Sequence, residues 1–314
     1  MGLPTKRLIV ALVLAAVLTL LLAQLPDAVS AEPTNQEKAL AILSEMVGLD
    51  MAKYHATRDS YTQDLYFETL PQEHLKYTLE SDESKLEIIY AFVNENLRSM
   101  SVYIINGSPH TTQPTTNTLE MAKTFISKYQ TYSEASYYGM LRPMLDAVEA
   151  DKNVTKTSEN AKLEVTIDEN SVSFRWTYTI NGVEAPSKCV ALYFEQGFLK
   201  HFIDTWSLYK IGVEDVNISE KQAIEIAMDA AKNYSWRVGV GGDNPSVEVT
   251  EFNIAGVSKT TLDFGNYISK EEARGGDPLT LYPGWHIYLY LDKLYPGVMS
   301  TFQRYTCRAL LGTL

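Results

Sequence analysis

The chain has 314 residues, with 27 lysines and arginines against 39 aspartates and glutamates, for a net charge of −12 at pH 7. A surface this acidic repels phosphate backbones and gains nothing from anionic lipid, so nucleic acid is excluded as a partner class. The length exceeds what one hydrophobic core usually serves, which sets an expectation of two or three domains.

Residues 1–31 read as a signal peptide or membrane anchor. Lys6 and Arg7 supply a basic start, Leu8–Ala23 is apolar and uncharged, and Val29-Ser30-Ala31 offers the small residues a signal peptidase needs. The apolar run at 8–23 falls short of the about 20 residues a spanning helix requires. Cleavage after Ala31 is the favoured reading and an uncleaved anchor the competitor. Either way the rest of the chain is expected outside the cell or on its surface.

Residues 32–108 form the first expected unit. Thr34 and Glu37 make a capping box, and Ala39, Leu40, Leu43, Met46 and Val47 follow as one apolar face. A polar, tyrosine-rich connection then leads to strands near 74–81, 84–94 and 97–105. Leu86, Ile88, Tyr90 and Phe92 carry the clearest alternation among them. Residues 109–212 form the second unit, entered through a proline- and threonine-rich linker over 107–118. Asn117 caps its helix, with Leu119, Ala122, Phe125, Ile126 and Tyr129 turned inward. A further helical segment near 134–149 must kink or restart at Pro143. A four-stranded meander follows, in which Val172, Phe174, Trp176, Tyr178 and Ile180 alternate and Asn181-Gly182 marks a tight hairpin.

Residues 213–314 form the third unit. Ser219 with Gln222 is a capping box, and Ala223, Ile224, Ile226, Ala227, Ala230, Ala231 and Tyr234 give a stripe of mostly small residues. A strand is expected over Val247–Ala255, then a long polar excursion over Gly256–Asp277, then a strand over Leu279–Leu291. The helical entries NQEKALAIL, NTLEMAKTF and SEKQAIEIA begin at positions 35, 117 and 219. Each precedes strands, so the expected fold is α+β: tandem units of a helix packed on an antiparallel β-sheet meander, behind an N-terminal signal or anchor segment.

Few side chains suggest chemistry. The five histidines form no H-E-x-x-H helix or other close ligand cluster, and no G-x-S-x-G elbow occurs. No catalytic, cofactor-binding or metal-binding residues are therefore expected, and no cofactor. Cys189 and Cys307 offer one disulfide in an exported chain, against two unpaired thiols as the plain alternative. Four glycosylation sequons begin at Asn106, Asn153, Asn217 and Asn233. His286, Tyr288 and Tyr290 fall on one face of the last long strand and make a candidate recognition face.

The segments ISEKQAIEIAMDAAKNYSW, VEVTEF and LYPGWHIYLYLDKLYPG resemble PepSY-like modules over residues 217–297. More narrowly, they resemble uncharacterised secreted archaeal proteins carrying that module. The resemblance implies a helix-plus-antiparallel-sheet unit that inhibits or regulates peptidases by binding rather than by catalysis. An extracellular peptidase or another envelope protein is then the expected partner. The alternative function is an extracellular structural or ligand-binding surface protein with no peptidase partner. One departure concerns 298–314, which lacks the Asp-x-Gly-type turn usual after YPG in this group, so that either the final strand is divergent or the chain stops short, and the last sheet edge is in doubt.

Overall fold

The computed structural model describes residues 34–65, 70–112, 117–149, 152–238, 247–266, 277–296 and 302–308; side chains at Leu65 and 302–308 are not described. The export segment lies outside the described residues, as does the glycine-rich stretch 239–246. Among the described residues, no helix is long and apolar enough to cross a membrane. Residues from Ala39 onward belong to one compact unit.

The first element, α1 (Asn35–Ala41), runs on as a wider turn over Ile42–Val47 and stops at Gly48, whose φ of 77° lies in the left-handed region. Its capping box forms: Thr34 N–H donates to Glu37 Oε2 at 2.8 Å and Glu37 N–H to Thr34 Oγ1 at 3.3 Å. An antiparallel meander follows, β1 (His55–Leu65), β2 (Leu70–Glu80), β3 (Lys85–Val93) and β4 (Asn96–Asn106). Strand β1 occupies what reads in sequence as a connection. Beneath the meander, Tyr90 donates its hydroxyl to the Ala39 carbonyl at 3.0 Å, tying the buried face of the sheet to α1.

The described start of the expected linker is pinned at His110 and Thr112. Asp50 N–H donates to the His110 carbonyl, and Thr112 N–H to that of Gly48. Helix α2 (Thr118–Ser133) begins as expected, with Asn117 Oδ1 accepting from Glu120 N–H at 2.9 Å. The expected second helical stretch breaks into α3 (Tyr138–Leu141) and a tight turn over Arg142–Ala147 that holds Pro143. A second meander then runs through β5 (Val154–Ser158), β6 (Ala161–Ile167), β7 (Ser171–Ile180), β8 (Val183–Glu195) and β9 (Phe198–Asp204). Asn181 and Gly182, at φ of 51° and 80°, make the left-handed turn that the dipeptide favours.

After the short β10 (Lys210–Ile211) comes α4 (Glu220–Ala231), with both bonds of its capping box made. Strands β11 (Trp236–Val238) and β12 (Val247–Val249) form a separate two-stranded ribbon. Strand β13 (Ile254–Gly265) falls where a polar excursion is expected from sequence. It pairs with β14 (Thr280–Leu291), which pairs in turn with β15 (Phe302–Arg308).

The tandem α+β architecture is overturned. Among the described residues, the strands outside the β11–β12 ribbon join into one mixed sheet of thirteen. Two seams make it continuous. Ser99, Met100 and Ser101 of β4 pair with Ile203, Phe202 and His201 of β9, so the first two meanders share a layer. Glu184 of β8 pairs in parallel with Asp263 of β13, and β10 pairs in parallel with β14, which brings in the third section. Pairing meander to meander satisfies edge amides that separate units would leave open. The helices do lie on this sheet, but α1, α2 and the turn after α3 cover one undivided core that runs from Ala39 to Trp206.

Candidate functional site

Among the described residues, a cluster of buried polar side chains, Thr177, Thr179, Asp204 and Thr205, sits where β8 changes neighbours. Its second half pairs with β9, and its first half meets β13 at Glu184. Between them the β7–β8 register shifts from Thr177↔Cys189 to Tyr178↔Ala185, so Pro186, Ser187 and Lys188 form a bulge. Proline is tolerated there because no ladder bond is required of it. Thr205 holds the bulge by donating its N–H to the Cys189 carbonyl at 2.8 Å and its hydroxyl to the Ser187 carbonyl at 2.6 Å.

Opposite the bulge, β9 ends on Asp204, two residues after Phe202 on the core-facing side. Its Oδ2 accepts from Tyr137 Oη at 2.5 Å and Tyr138 Oη at 2.6 Å, and its Oδ1 from Trp206 N–H at 3.1 Å. The two tyrosines arrive through α2, whose apolar stripe docks it on the sheet. Glu134 then ends that helix in the left-handed region, at φ 54°, and turns the chain back under it. Tyr138 packs edge-on to Tyr129 and Tyr137 stacks on Trp206.

Burial lifts the Asp204 carboxyl above the ordinary carboxylate range, and the donors from Tyr137, Tyr138 and Trp206 pull it back. Burial also pushes the Tyr137 and Tyr138 phenols well up, reinforced by the Asp204 charge. Both phenols therefore stay protonated donors at neutral pH. Lys188 donates to the carbonyls of Trp206 and of Tyr209, the latter at 2.7 Å, and lies 5.3 Å from the Tyr178 ring centre. Burial lowers its ammonium from 10.5 to about 8, with the Asp204 charge acting the other way.

A cleft of 280 Å³ opens beside this network, with Asn96, Arg98, Tyr129, Tyr137, Asp204 and Leu208 in its lining. Its wall includes the hydrogen-bonded pair Tyr137 and Asp204 beside apolar residues such as Leu97 and Leu208. Among the described residues, no group of three or more histidine, cysteine, aspartate or glutamate side chains is placed to hold a metal ion. Sequence reasoning did not single out these residues. The available signal was an acid at a core-facing strand position, in FLKHFID, and a lysine beside a strand proline.

The expected recognition residues share one face of β14 but differ in access. His286 is 1% exposed, with Nε2 3.0 Å from Asp263 Oδ1. Tyr288 is half-buried, 6.0 Å from Lys259 Nζ at its ring centre, and Tyr290 is exposed. Tyr290 covers Gly256, where an added Cβ would stand 3.1 Å from its hydroxyl. Cys189 is buried, with its Sγ 3.6 Å from Thr205 Oγ1. The Cys307 side chain lies outside the described residues, so the bridge between the two stays an expectation. Asn106, Asn153, Asn217 and Asn233 are all exposed, which sterically permits a glycan at each. Asn153 also accepts from Ile167 N–H through its side chain at 2.7 Å.

No protein-family model matches the chain. No curated protein matches it either. Among solved structures, it is similar to the YpeB C-terminal domain of Bacillus megaterium, at 10% identity and a TM-score of 0.34, covering 88% of this chain and 94% of that one. It is also similar to an uncharacterized protein from Eubacterium rectale, at 13% identity and a TM-score of 0.39, covering 90% of this chain and 82% of that one. Both likenesses are loose, and the narrower resemblance to archaeal proteins gains no support from either.

Proposed function

We propose that this chain is an exported binding protein without catalysis of its own, whose third section, a PepSY-like module, inhibits or regulates an extracellular peptidase. The reading rests on the resemblance over residues 217–297. The observation that supports it is the seating of α4 on its strands. Ala223, Ala227 and Ala231 are fully buried against Ile287 and Leu289 of β14. Trp285 Nε1–H donates to the Ile218 carbonyl at 3.1 Å and fixes the entry to the helix. A helix lying across antiparallel strands is the arrangement such a module implies.

The outward side of α4 carries Lys221, Glu225, Asp229 and Lys232, all exposed and charged. It offers a peptidase a polar, rigid surface. The test is to titrate the purified chain into peptidases secreted by the same source while following hydrolysis of a fluorogenic peptide. The expected result is saturable slowing of at least one peptidase. Absence of slowing, with no peptidase retained on the immobilised chain, removes the reading. Retention of a carbohydrate or an envelope component instead favours the surface-protein alternative.

A further inference from the structure

Strand β1 ends the thirteen-stranded sheet and pairs only with β2 among the described strands. Every residue from His55 to Asp64 is exposed, so neither face of the strand is covered. Its ladder to β2, a stack of Tyr61 on His74 at 4.6 Å between ring centres, and a contact of Arg58 with Tyr77 across the ladder hold it. Residues 55–64 therefore have little hydrophobic reason to form a strand.

Free edges are usually blunted by lysine, proline, bulges or short length. The edge strand β5 follows that rule, with only five residues and Lys156 at its centre. Strand β1 does not. It runs eleven residues, HATRDSYTQDL, without lysine, proline or glycine, and its register against β2 is unbroken.

We propose that β1 is a homodimerisation edge, pairing antiparallel with β1 of a second copy about a two-fold axis at Tyr61. Strand parity and charge both favour this pairing. Outward-pointing amides alternate along a strand and must meet outward-pointing amides across the new ladder. A strand pairing with its own copy therefore matches odd positions with odd and even with even. Centring on Tyr61 satisfies this over 57–65. It sets Arg58 opposite the partner's Asp64, Asp64 opposite the partner's Arg58, and Tyr61 beside the partner's Tyr61. Opposite charges and aromatic rings placed directly across a ladder both stabilise it. The ladder alone buries less than the about 1,200 Å² of a stable complex, so the dimer is weak and dependent on concentration. This inference is independent of any peptidase partner.

Sedimentation velocity over a concentration series tests it, together with single cysteines introduced into the edge. The unsubstituted chain should shift from monomer to dimer as concentration rises. Under mild oxidation Tyr61→Cys should lock the dimer above the background set by Cys189 and Cys307, because only position 61 faces its own counterpart. Thr57→Cys and Ser60→Cys should not. Arg58→Asp and Asp64→Arg should each weaken association about tenfold through two like-charge pairs per dimer, and the double exchange should restore it. A chain that stays monomeric throughout overturns the proposal. So does a dimer that Tyr61→Cys fails to lock, or one indifferent to the charge exchange. An edge occupied only by a peptide of another protein overturns it as well.

Discussion

The core beneath α1 and α2 and the small core beneath α4 solve the same problem in different ways. The first fills its space with large rings: Trp176, Tyr90, Phe125, Phe174, Phe202 and Tyr138 are all fully buried. The second places alanine at the fully buried helix positions, with Ala223, Ala227 and Ala231 over Ile287 and Leu289 of the sheet, and leaves Ile224, Ile226 and Met228 of the helix only partly buried around them. Burial of ring area stabilises in proportion to what leaves water, whereas alanine contributes little area and works by letting two backbones come close. The comparison teaches where each part is vulnerable. The larger core suffers when atoms are removed, and the smaller one when atoms are added.

Removing the centre of the larger core should produce the largest effect. Trp176 is fully buried and its Nε1–H donates to the Leu141 carbonyl at 3.1 Å. Trp176→Ala should cost about 3–5 kcal/mol, read as a lower midpoint in urea unfolding. Adding atoms to the alanine seam should cost less and act locally. Ala227→Leu should destabilise by about 1–3 kcal/mol. Hydrogen exchange should then rise in α4 and β14 while β2, β3 and β7 keep their protection; equal loss everywhere would erase the contrast. A smaller effect tests the helix without touching either core. Ser219→Ala removes the cap of α4 and should cost about 1 kcal/mol, measured in the same unfolding assay.

A pH-dependent effect concerns Lys188, between the two regions. Its folded pKa is about 8 against an ordinary 10.5. Between those values the unfolded chain holds a proton that the folded chain lacks, so folding stability from this group rises with pH. Below about 8 both states are protonated, and above 10.5 neither is. The stability of the natural chain relative to Lys188→Met should therefore climb across that window and level off beyond it. A flat difference would mean that the ammonium is not desolvated as the bulge suggests.

Some of this structure was legible in the sequence, and the division has physical causes. Helices α2 and α4 could be read because Asn117 and Ser219 act on amides three residues away and their apolar stripes follow a short period. Strands β6, β7 and β8 could be read because each hides alternate residues, and because Asn-Gly acts within its own turn. Strand β1 could not, since residues 55–64 hide nothing and their side chains have no reason to alternate. Strand β13 was obscured in the same way, with Ser258, Lys259, Thr260 and Thr261 along one stretch. The joining of the meanders left no local mark: Ser99 to Ser101 meet His201 to Ile203 across about a hundred positions of chain. The Asp204 network was hidden for that reason too, as its donors come from a helix turn far upstream.

The bulge in β8 carries one more consequence. Along this strand the sheet changes lanes: β9 leaves the flank at Asp204, and β13 joins it only at Glu184. Backbone continuity across that junction is one paired position, seconded by the two of β10 on β14. The junction is sealed chiefly by Ala185, Tyr209, Phe264 and Leu281 rather than by a long zipper of amides. Under tension the chain should tear here first, peeling the last hundred residues away while the double meander stays whole.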